Sequence, residues 1–189
     1  MIAKQFAIGF AFATLLLIAG ILSARAAVVE SNVSGFAVEE KAHIAVSPAK
    51  LYAALIHPEN WWNSEHTFSQ DAKNLSLDAK AGGCLCETLP GGGSVAHLMV
   101  AAIMPNRMLG FRGAMGPFQS QGVDGALIFT LKPAGDGTDL VLDNNVGGFV
   151  KGGMGKWPEA ADGMLTDLVV HLKYYAENGK AMPANPPAK

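Results

Sequence analysis

Charged residues are scarce in this sequence, and neither sign dominates. Of 189 residues, 14 are lysine or arginine and 16 are aspartate or glutamate, which gives a formal net charge of −2. No basic run is present to attract a nucleic-acid backbone, and no acidic tract suggests a solvating tail. We therefore expect no nucleic-acid partner.

Familiar catalytic and metal-binding motifs are also missing. There is no Gly-x-Ser-x-Gly element for a serine nucleophile, and the five histidines lack a ligand spacing such as His-x-x-x-His. The Gly-rich stretch 146–156 fails as a phosphate loop, because Val150 and Trp157 stand where Gly and Ser or Thr are needed. We predict no metal and no cofactor, and we favour a role other than that of an enzyme.

Segment 1–26 has the pattern of a secretory signal peptide. Lys4 precedes an uncharged apolar run at 6–22, and Ala24 and Ala26 supply the small residues that a signal peptidase requires. We predict cleavage after Ala26, which would make the protein periplasmic or secreted. The alternative is an uncleaved membrane anchor, because the apolar run lies at the lower length limit for spanning a bilayer.

The next residues predict a linker, a strand and two short helices. We expect the linker at 27–35 and the strand at 36–46, where apolar residues alternate along much of the segment. Ser47 and Pro48 then start a helix, because Ser can cap it and Pro fits its first position. A second helical turn is expected over 58–63, after the first helix ends at another proline.

From residue 74 to 144 the sequence is typical of short strands joined by tight turns. Gly, Pro, Asn and Asp separate the apolar runs, and the Asp-Gly pair at 136–137 favours a hairpin turn. Consecutive strands with short connections indicate an antiparallel meander. The predicted strands are 74–78, 84–89, 95–103, 107–112, 126–131 and 138–144.

A long amphipathic helix is predicted over 159–178. Its apolar residues recur at helical spacing on one face, although Gly163 weakens the helix by about 1 kcal/mol relative to alanine. Asn178 and Gly179 form a C-terminal stop. The tail 180–189 contains three prolines and little to bury, so we expect it to be disordered.

Particular residues stand at the junctions of these elements: Val46-Ser-Pro-Ala-Lys-Leu-Tyr52, Trp61-Trp62, Gly82-Gly83 before the strand with Glu87, and Pro105-Asn-Arg-Met-Leu109 with Phe111. In this order they resemble the START/SRPBCC superfamily of polyketide-cyclase and birch-pollen-allergen-like proteins. The subgroup that is most similar is related to the activator of the heat-shock ATPase chaperone. The resemblance covers 36–179. It implies an α+β helix-grip fold, with about seven antiparallel strands curved around the C-terminal helix and two short helices after strand one.

The resemblance also implies a cavity between the sheet and the long helix, where a hydrophobic small molecule or a lipid binds. A curved sheet around one helix does not fill its concave side everywhere. A one-residue slip in strand register would replace Leu98 and Val100 in the wall by His97 and Met99. We predict these wall residues: Trp61, Phe68, Leu98, Val100, Leu109, Phe111, Phe118, Leu127, Phe129, Met164, Leu168 and Leu172.

Two other functions remain open. The first is a cyclase-like or hydrolase-like enzyme of the same fold, with Glu87 or His97 as acid or base. We favour instead a salt bridge from Glu87 to Arg107 or Arg112. The second is a chaperone-cofactor-like interaction protein, which we disfavour because an exported domain would not meet a cytoplasmic ATPase. A membrane contact is expected only through an uncleaved leader.

Cys84 and Cys86 are two residues apart on one predicted strand, so both thiols project from the same face. In a regular strand their α-carbons would lie about 6.5–7 Å apart, the upper limit for a disulfide. We favour two small buried apolar residues, with a redox or metal pair as the alternative.

Aromatic and glycine-rich segments provide possible cavity rims. Trp61 and Trp62 are adjacent, so only one of them can face fully inward on a helical turn. The stretches 113–122 and 146–156 are predicted as flexible loops that cover the cavity. His57 and His66 could converge with Glu87 and His97 on a metal, but no spacing requires it.

Overall fold

The computed structural model describes residues 25–183 of the chain, with side chains from residue 28 onward. Five single 3₁₀ turns, at 58–60, 64–66, 72–74, 90–92 and 116–120, interrupt its loops. The strands and helices, in chain order, are β1 Arg25–Asn32, β2 Gly35–Ile44, α1 Pro48–Leu55, β3 Leu75–Leu77, β4 Cys84–Thr88, β5 Ser94–Met104, β6 Met108–Arg112, β7 Gly122–Ala134, β8 Gly137–Phe149 and α2 Trp157–Asn178.

All eight strands of the described chain form one antiparallel sheet in the order β1-β2-β8-β7-β6-β5-β4-β3. The strands from β3 to β8 follow one another as a meander, and the hairpin of β1 and β2 joins it along β8. Helix α2 packs against β1, β2 and α1. This is the predicted α+β helix-grip fold, with eight strands rather than about seven.

The segment 27–35 is not a linker, because most of it belongs to β1 and the turn into β2. Strand β1 pairs with β2 along its length, from Arg25 opposite Lys41 to Asn32 opposite Gly35. As an edge strand with Val29 exposed, it lacks the apolar alternation by which a half-buried strand is recognised. The predicted cleavage after Ala26 would fall within β1, and it stays a prediction.

The rest of the leader, residues 1–24, lies outside the described residues, as does 184–189 of the predicted tail. Within the described residues, no helix is both long enough and apolar enough to cross a membrane.

The predicted start of α1 and the predicted end of α2 are both confirmed by local hydrogen bonds. The Ser47 hydroxyl accepts a hydrogen bond from the Lys50 amide at 3.3 Å, and Pro48 occupies the first turn of α1. At the other end of the chain, the Gly179 amide donates to the Tyr175 carbonyl at 2.8 Å and ends α2. These signals are local, so the sequence specifies them directly.

Strand β8 continues through Val146–Phe149, part of the stretch predicted as a flexible loop. At Gly148, with φ of 129°, an added Cβ would lie 2.4 Å from the Gly122 carbonyl oxygen on β7. Glycine in this strand therefore marks the close approach of a neighbouring backbone. Residues 150–156 lead from β8 to α2, as predicted.

The core fills one part of the space between sheet and helices. Helix α2 buries Leu165, Leu168 and Leu172, and they belong to one cluster with Leu51 and Leu55 of α1. This face of α2 has the predicted spacing. The part of the concave sheet near the N-terminal end of α2 is not filled by side chains, and the cavity lies there.

Candidate functional site

A cavity of about 510 Å³ lies between the sheet and the first turns of α2. Two loops complete its wall, one at 62–68 and the other at 113–118. The second loop lies within the stretch predicted to cover the cavity. Most of the lining is apolar, and its polar side chains are Glu65, His66, Thr67, His97 and Asn144.

Five of the twelve predicted wall residues line this cavity: Phe68, Leu98, Phe118, Leu127 and Met164. The other seven are buried in the core: Trp61, Val100, Leu109, Phe111, Phe129, Leu168 and Leu172. Four of these seven border a second space of only about 10 Å³. Packing of rings, such as Phe111 edge-on to Phe129 at 6.3 Å between ring centroids, closes that end of the trough.

The two adjacent tryptophans have different roles, as their spacing requires. Trp61 is buried in the core, where its indole Nε1 donates to the Ala54 carbonyl at 2.9 Å. Trp62 lines the cavity instead. Their ring centroids lie 5.3 Å apart, so the core residue supports the wall residue.

Several wall residues were not predicted from the sequence, among them Asn144, Ala160 and Trp157. Trp157 begins α2 and packs its ring against Phe118, with 4.8 Å between ring centroids. Its place after a Gly-rich segment and before Pro158 gave a helix-start signal. Only the tertiary arrangement of the loops shows that it faces the cavity.

A β-bulge in β5 turns His97 inward. Leu85 on β4 pairs with Leu98, and the next residue, Cys86, pairs with Ala96, so His97 is left without a partner in the β4–β5 ladder. An extra residue of this kind re-aims a side chain. His97 and Leu98 are both buried, at 6% and 4% exposure.

The bulge resolves the register question posed by the sequence. Leu98 and Val100 face inward, as the preferred register predicts, and Met99 is 43% exposed. His97 faces inward as well, which a strictly alternating strand would not allow.

Glu87 is buried beside His97 and makes no salt bridge to Arg107 or Arg112, so that prediction is wrong. Its carboxylate accepts hydrogen bonds from His97 Nε2 at 2.8 Å and from the Phe68 and Ser69 amides at 3.1 and 2.5 Å. Arg112 pairs instead with Asp124 at 2.6 Å. Glu87 therefore fixes both the imidazole and the loop that carries Phe68.

Two opposing effects act on the carboxyl group of Glu87. Burial raises its pKa, but the hydrogen bonds from Ser69, Phe68 and His97 outweigh burial and hold the pKa below its usual value. Glu87 is therefore a carboxylate at neutral pH. A carboxylate only accepts hydrogen bonds, so the nitrogen facing it, His97 Nε2, carries a proton.

Cys84 and Cys86 form a disulfide, contrary to the preferred interpretation as two free residues. Their α-carbons lie 5.3 Å apart, closer than in a regular strand. They are half-buried, whereas Leu85 and Glu87 between and after them are buried, which places the disulfide on the other face of the sheet. The crosslink lies directly across from the bulge at His97.

Neither His57 nor His66 makes a hydrogen bond to the carboxylate–imidazole pair, although His66 lines the same cavity. His57 contacts Glu59 at 3.0 Å, and His66 lies 3.4 Å from Asp167. Over residues 25–183 we find no group of three or more His, Cys, Asp or Glu side chains that could hold a metal ion.

Comparison with known proteins identifies similar folds. No protein-family model matches the chain, and no curated protein matches it in sequence. Among solved structures, the Aha1 dimer from Colwellia psychrerythraea is 18% identical, with a TM-score of 0.54 over 76% of this chain and 98% of that one.

Two further solved structures, CalU16 and DynU16, are similar in fold. CalU16 from Micromonospora echinospora is 16% identical, with a TM-score of 0.53 over 85% of this chain and 88% of that one. DynU16, from the dynemicin biosynthetic locus, is 19% identical, with a TM-score of 0.55 over 76% of this chain and 48% of that one. At these identities the likeness establishes a shared fold.

Proposed function

We propose that this SRPBCC-like helix-grip protein binds a hydrophobic small molecule in the cavity beside α2. The observation that carries the proposal is the cavity itself, because its volume of about 510 Å³ lies within the range of about 300–1,000 Å³ typical of small-molecule sites. A closed trough, packed like the space around Phe111 and Phe129, would have offered no such room.

The chemistry of the wall supports an apolar ligand with a polar end. Aromatic rings from Trp62, Phe68, Phe118 and Trp157 form part of the apolar wall. Two polar side chains of the wall are buried: His97, which the Glu87 carboxylate holds in place, and Thr67, whose hydroxyl donates to the Ser64 carbonyl. In a mostly apolar pocket, a small number of polar groups typically fixes the orientation of the ligand. The similarity to DynU16, a protein from a biosynthetic locus, is consistent with a small-molecule ligand. A lipid is the alternative ligand, because it would offer a similar apolar surface.

An acid–base enzyme is the second candidate, and the His97–Glu87 pair favours it. An imidazole oriented by a buried carboxylate can take up a proton from a bound molecule. We rank it below binding because the polar groups of the wall do not form a larger converging set. Nothing in the cavity favours a chaperone-cofactor role, the third candidate.

Ligand capture from the native source tests the proposal. The mature protein is purified from its own cell envelope and examined by native mass spectrometry, and a copurifying small molecule is expected. Recovery in the envelope fraction would also support the export that the leader predicts. At a ligand concentration of about 100 times Kd, binding adds about 2.7 kcal/mol, which raises the Tm by about 5–10 °C.

A matched pair of variants on α2 distinguishes the cavity from the surface. Met164 lines the cavity and is half-buried, and Met164→Trp should fill the cavity and abolish both the copurifying mass and the thermal shift. Val170 lies on the same helix and is exposed, so Val170→Trp should preserve both. Protein that is empty from every preparation, with a Tm unmoved by a panel of lipids and aromatic compounds, would refute the proposal.

A further inference from the structure

His97 has a second ring nitrogen, Nδ1, which does not face Glu87, and a role for this nitrogen in recognition rests on the proposed binding function. Since Nε2 donates to the Glu87 carboxylate at 2.8 Å, the neutral imidazole leaves Nδ1 with a lone pair and no hydrogen. In this tautomer Nδ1 is a hydrogen-bond acceptor. The low pKa of Glu87 keeps the carboxylate charged and therefore keeps the tautomer fixed.

Nδ1 has no protein partner, and it is not sealed in the core. None of the hydrogen bonds made by residues 28–183 involves it. The buried side-chain polar atoms without a partner in this part of the chain are Glu40 Oε2 and Asp162 Oδ1, and Nδ1 is not among them. Since His97 lines the cavity and is otherwise buried, Nδ1 is accessible from the cavity.

The surroundings of Nδ1 favour a neutral donor over an anion. The ring of Phe68 covers one side of the imidazole at 5.7 Å between ring centroids, and the Glu87 charge lies on the other edge. An anionic ligand would have to approach a lone pair with a carboxylate behind it. A ligand O–H donates to that lone pair, and the carboxylate strengthens the bond by polarising the imidazole.

We infer that the cavity selects an apolar molecule with a hydroxyl group, which donates its hydrogen to His97 Nδ1. Ethers of the same shape would bind without this hydrogen bond. Carboxylates of the same shape would be rejected. His97 is then the specificity-determining residue of the site, and Glu87 is a positioning residue that fixes its tautomer.

Three probes with the same naphthalene ring and different substituents test the inference: 2-naphthol, 2-methoxynaphthalene and 2-naphthoate. Calorimetric titration should give about tenfold tighter binding for naphthol than for its methyl ether, which corresponds to one hydrogen bond to an otherwise unpaired acceptor of the cavity wall. Naphthoate should bind more weakly than both. In the wild-type protein, the ¹⁵N shift of Nδ1 should change with naphthol and stay constant with the ether.

Variants assign the preference to His97. His97→Phe combined with Glu87→Gln removes the acceptor without leaving an unpaired buried carboxylate, and the naphthol-to-ether ratio should fall to about one. His57→Phe changes an exposed histidine that does not line the cavity and should leave the ratio unchanged. If the double variant does not fold, the ¹⁵N shifts of the wild-type protein decide alone.

The outcomes separate this inference from the function on which it rests. Equal binding of naphthol and ether, or tighter binding of naphthoate, would overturn the inference and leave apolar binding in place. No binding of any probe, together with empty protein from the native source, would overturn both.

Discussion

Replacement of Glu40 by glutamine should stabilise the protein at neutral pH. Glu40 lies on the inner face of β2 and is fully buried under α2. The Thr166 hydroxyl donates to its Oε1 at 2.8 Å. Its Oε2 and Asp162 Oδ1 are buried without a partner in the described structure. The site therefore holds one more carboxylate charge than its hydrogen bonds support.

The pKa of Glu40 determines the sign of the pH dependence. Burial raises it, the hydrogen bond from Thr166 opposes burial, and the nearby Asp162 charge raises the pKa further, so the net shift is upward. A carboxyl group with a raised pKa in the folded state contributes full stability below its ordinary pKa. That contribution is lost as the pH rises through the raised value.

The expected gain follows from the group that is left unpaired. A buried polar atom without a partner costs about 1–3 kcal/mol, and glutamine stays neutral at every pH. Glu40→Gln should therefore add about 1 kcal/mol or more to the free energy of unfolding at pH 8. For a domain of this size that raises the Tm by about 2–4 °C. Near pH 4 the variant should match the wild type.

Urea unfolding followed by circular dichroism from pH 4 to pH 8 measures this difference. Glu39→Gln is the matched control, because Glu39 faces the other side of the strand and pairs with Lys41 at 2.6 Å on the surface. Its effect should stay within about 0.5 kcal/mol. The reasoning fails if Glu40→Gln is no more stable than the wild type at pH 8, or if its gain is already complete at pH 4.

Two further predictions concern glycine and cysteine. Gly163→Ala, in the open interior of α2, should add about 1 kcal/mol to the free energy of unfolding; Gly83→Ala should cost about 1–3 kcal/mol, because its Cβ would lie 1.9 Å from the Asp78 carbonyl oxygen. Equal effects of the two in urea unfolding would contradict the steric argument. Joint replacement of Cys84 and Cys86 by serine should cost about 1–2 kcal/mol, since the disulfide closes a short loop. A loss above about 3 kcal/mol, measured the same way, would show that the crosslink does more than restrict the unfolded chain.

The architecture could be predicted because its signals are local and repeated. Ser47 and Pro48 start α1 through their own chemistry, and the apolar face of α2 follows one period over its whole length. Turn residues bound most strands of the meander. Edge strand β1 was not predicted, because an exposed strand needs no apolar alternation.

The site was less predictable because it depends on departures from regular structure. His97 faces the cavity because it is itself the unpaired residue of the bulge in β5. Regular strand alternation counted from Leu98 would place it on the other face. Glu40 interrupts the apolar pattern of β2, so its burial was not predicted, although it is as buried as Val38 on the same face. Loop residues such as Thr67 join the wall through tertiary contacts, which leave no periodic trace in the sequence.

The extra residue in β5 contributes a side chain to the cavity but is not required for pairing with β4. If residue 97 were deleted, Ala96 would be followed directly by Leu98, and the pairs with Cys86 and Leu85 would become consecutive. A chain one residue shorter could thus keep the same β4–β5 ladder, with regular alternation along its paired residues, while lacking the imidazole. In a sequence alignment, a single-residue gap at this point would mark a homologue that has the same sheet but lacks the imidazole of His97.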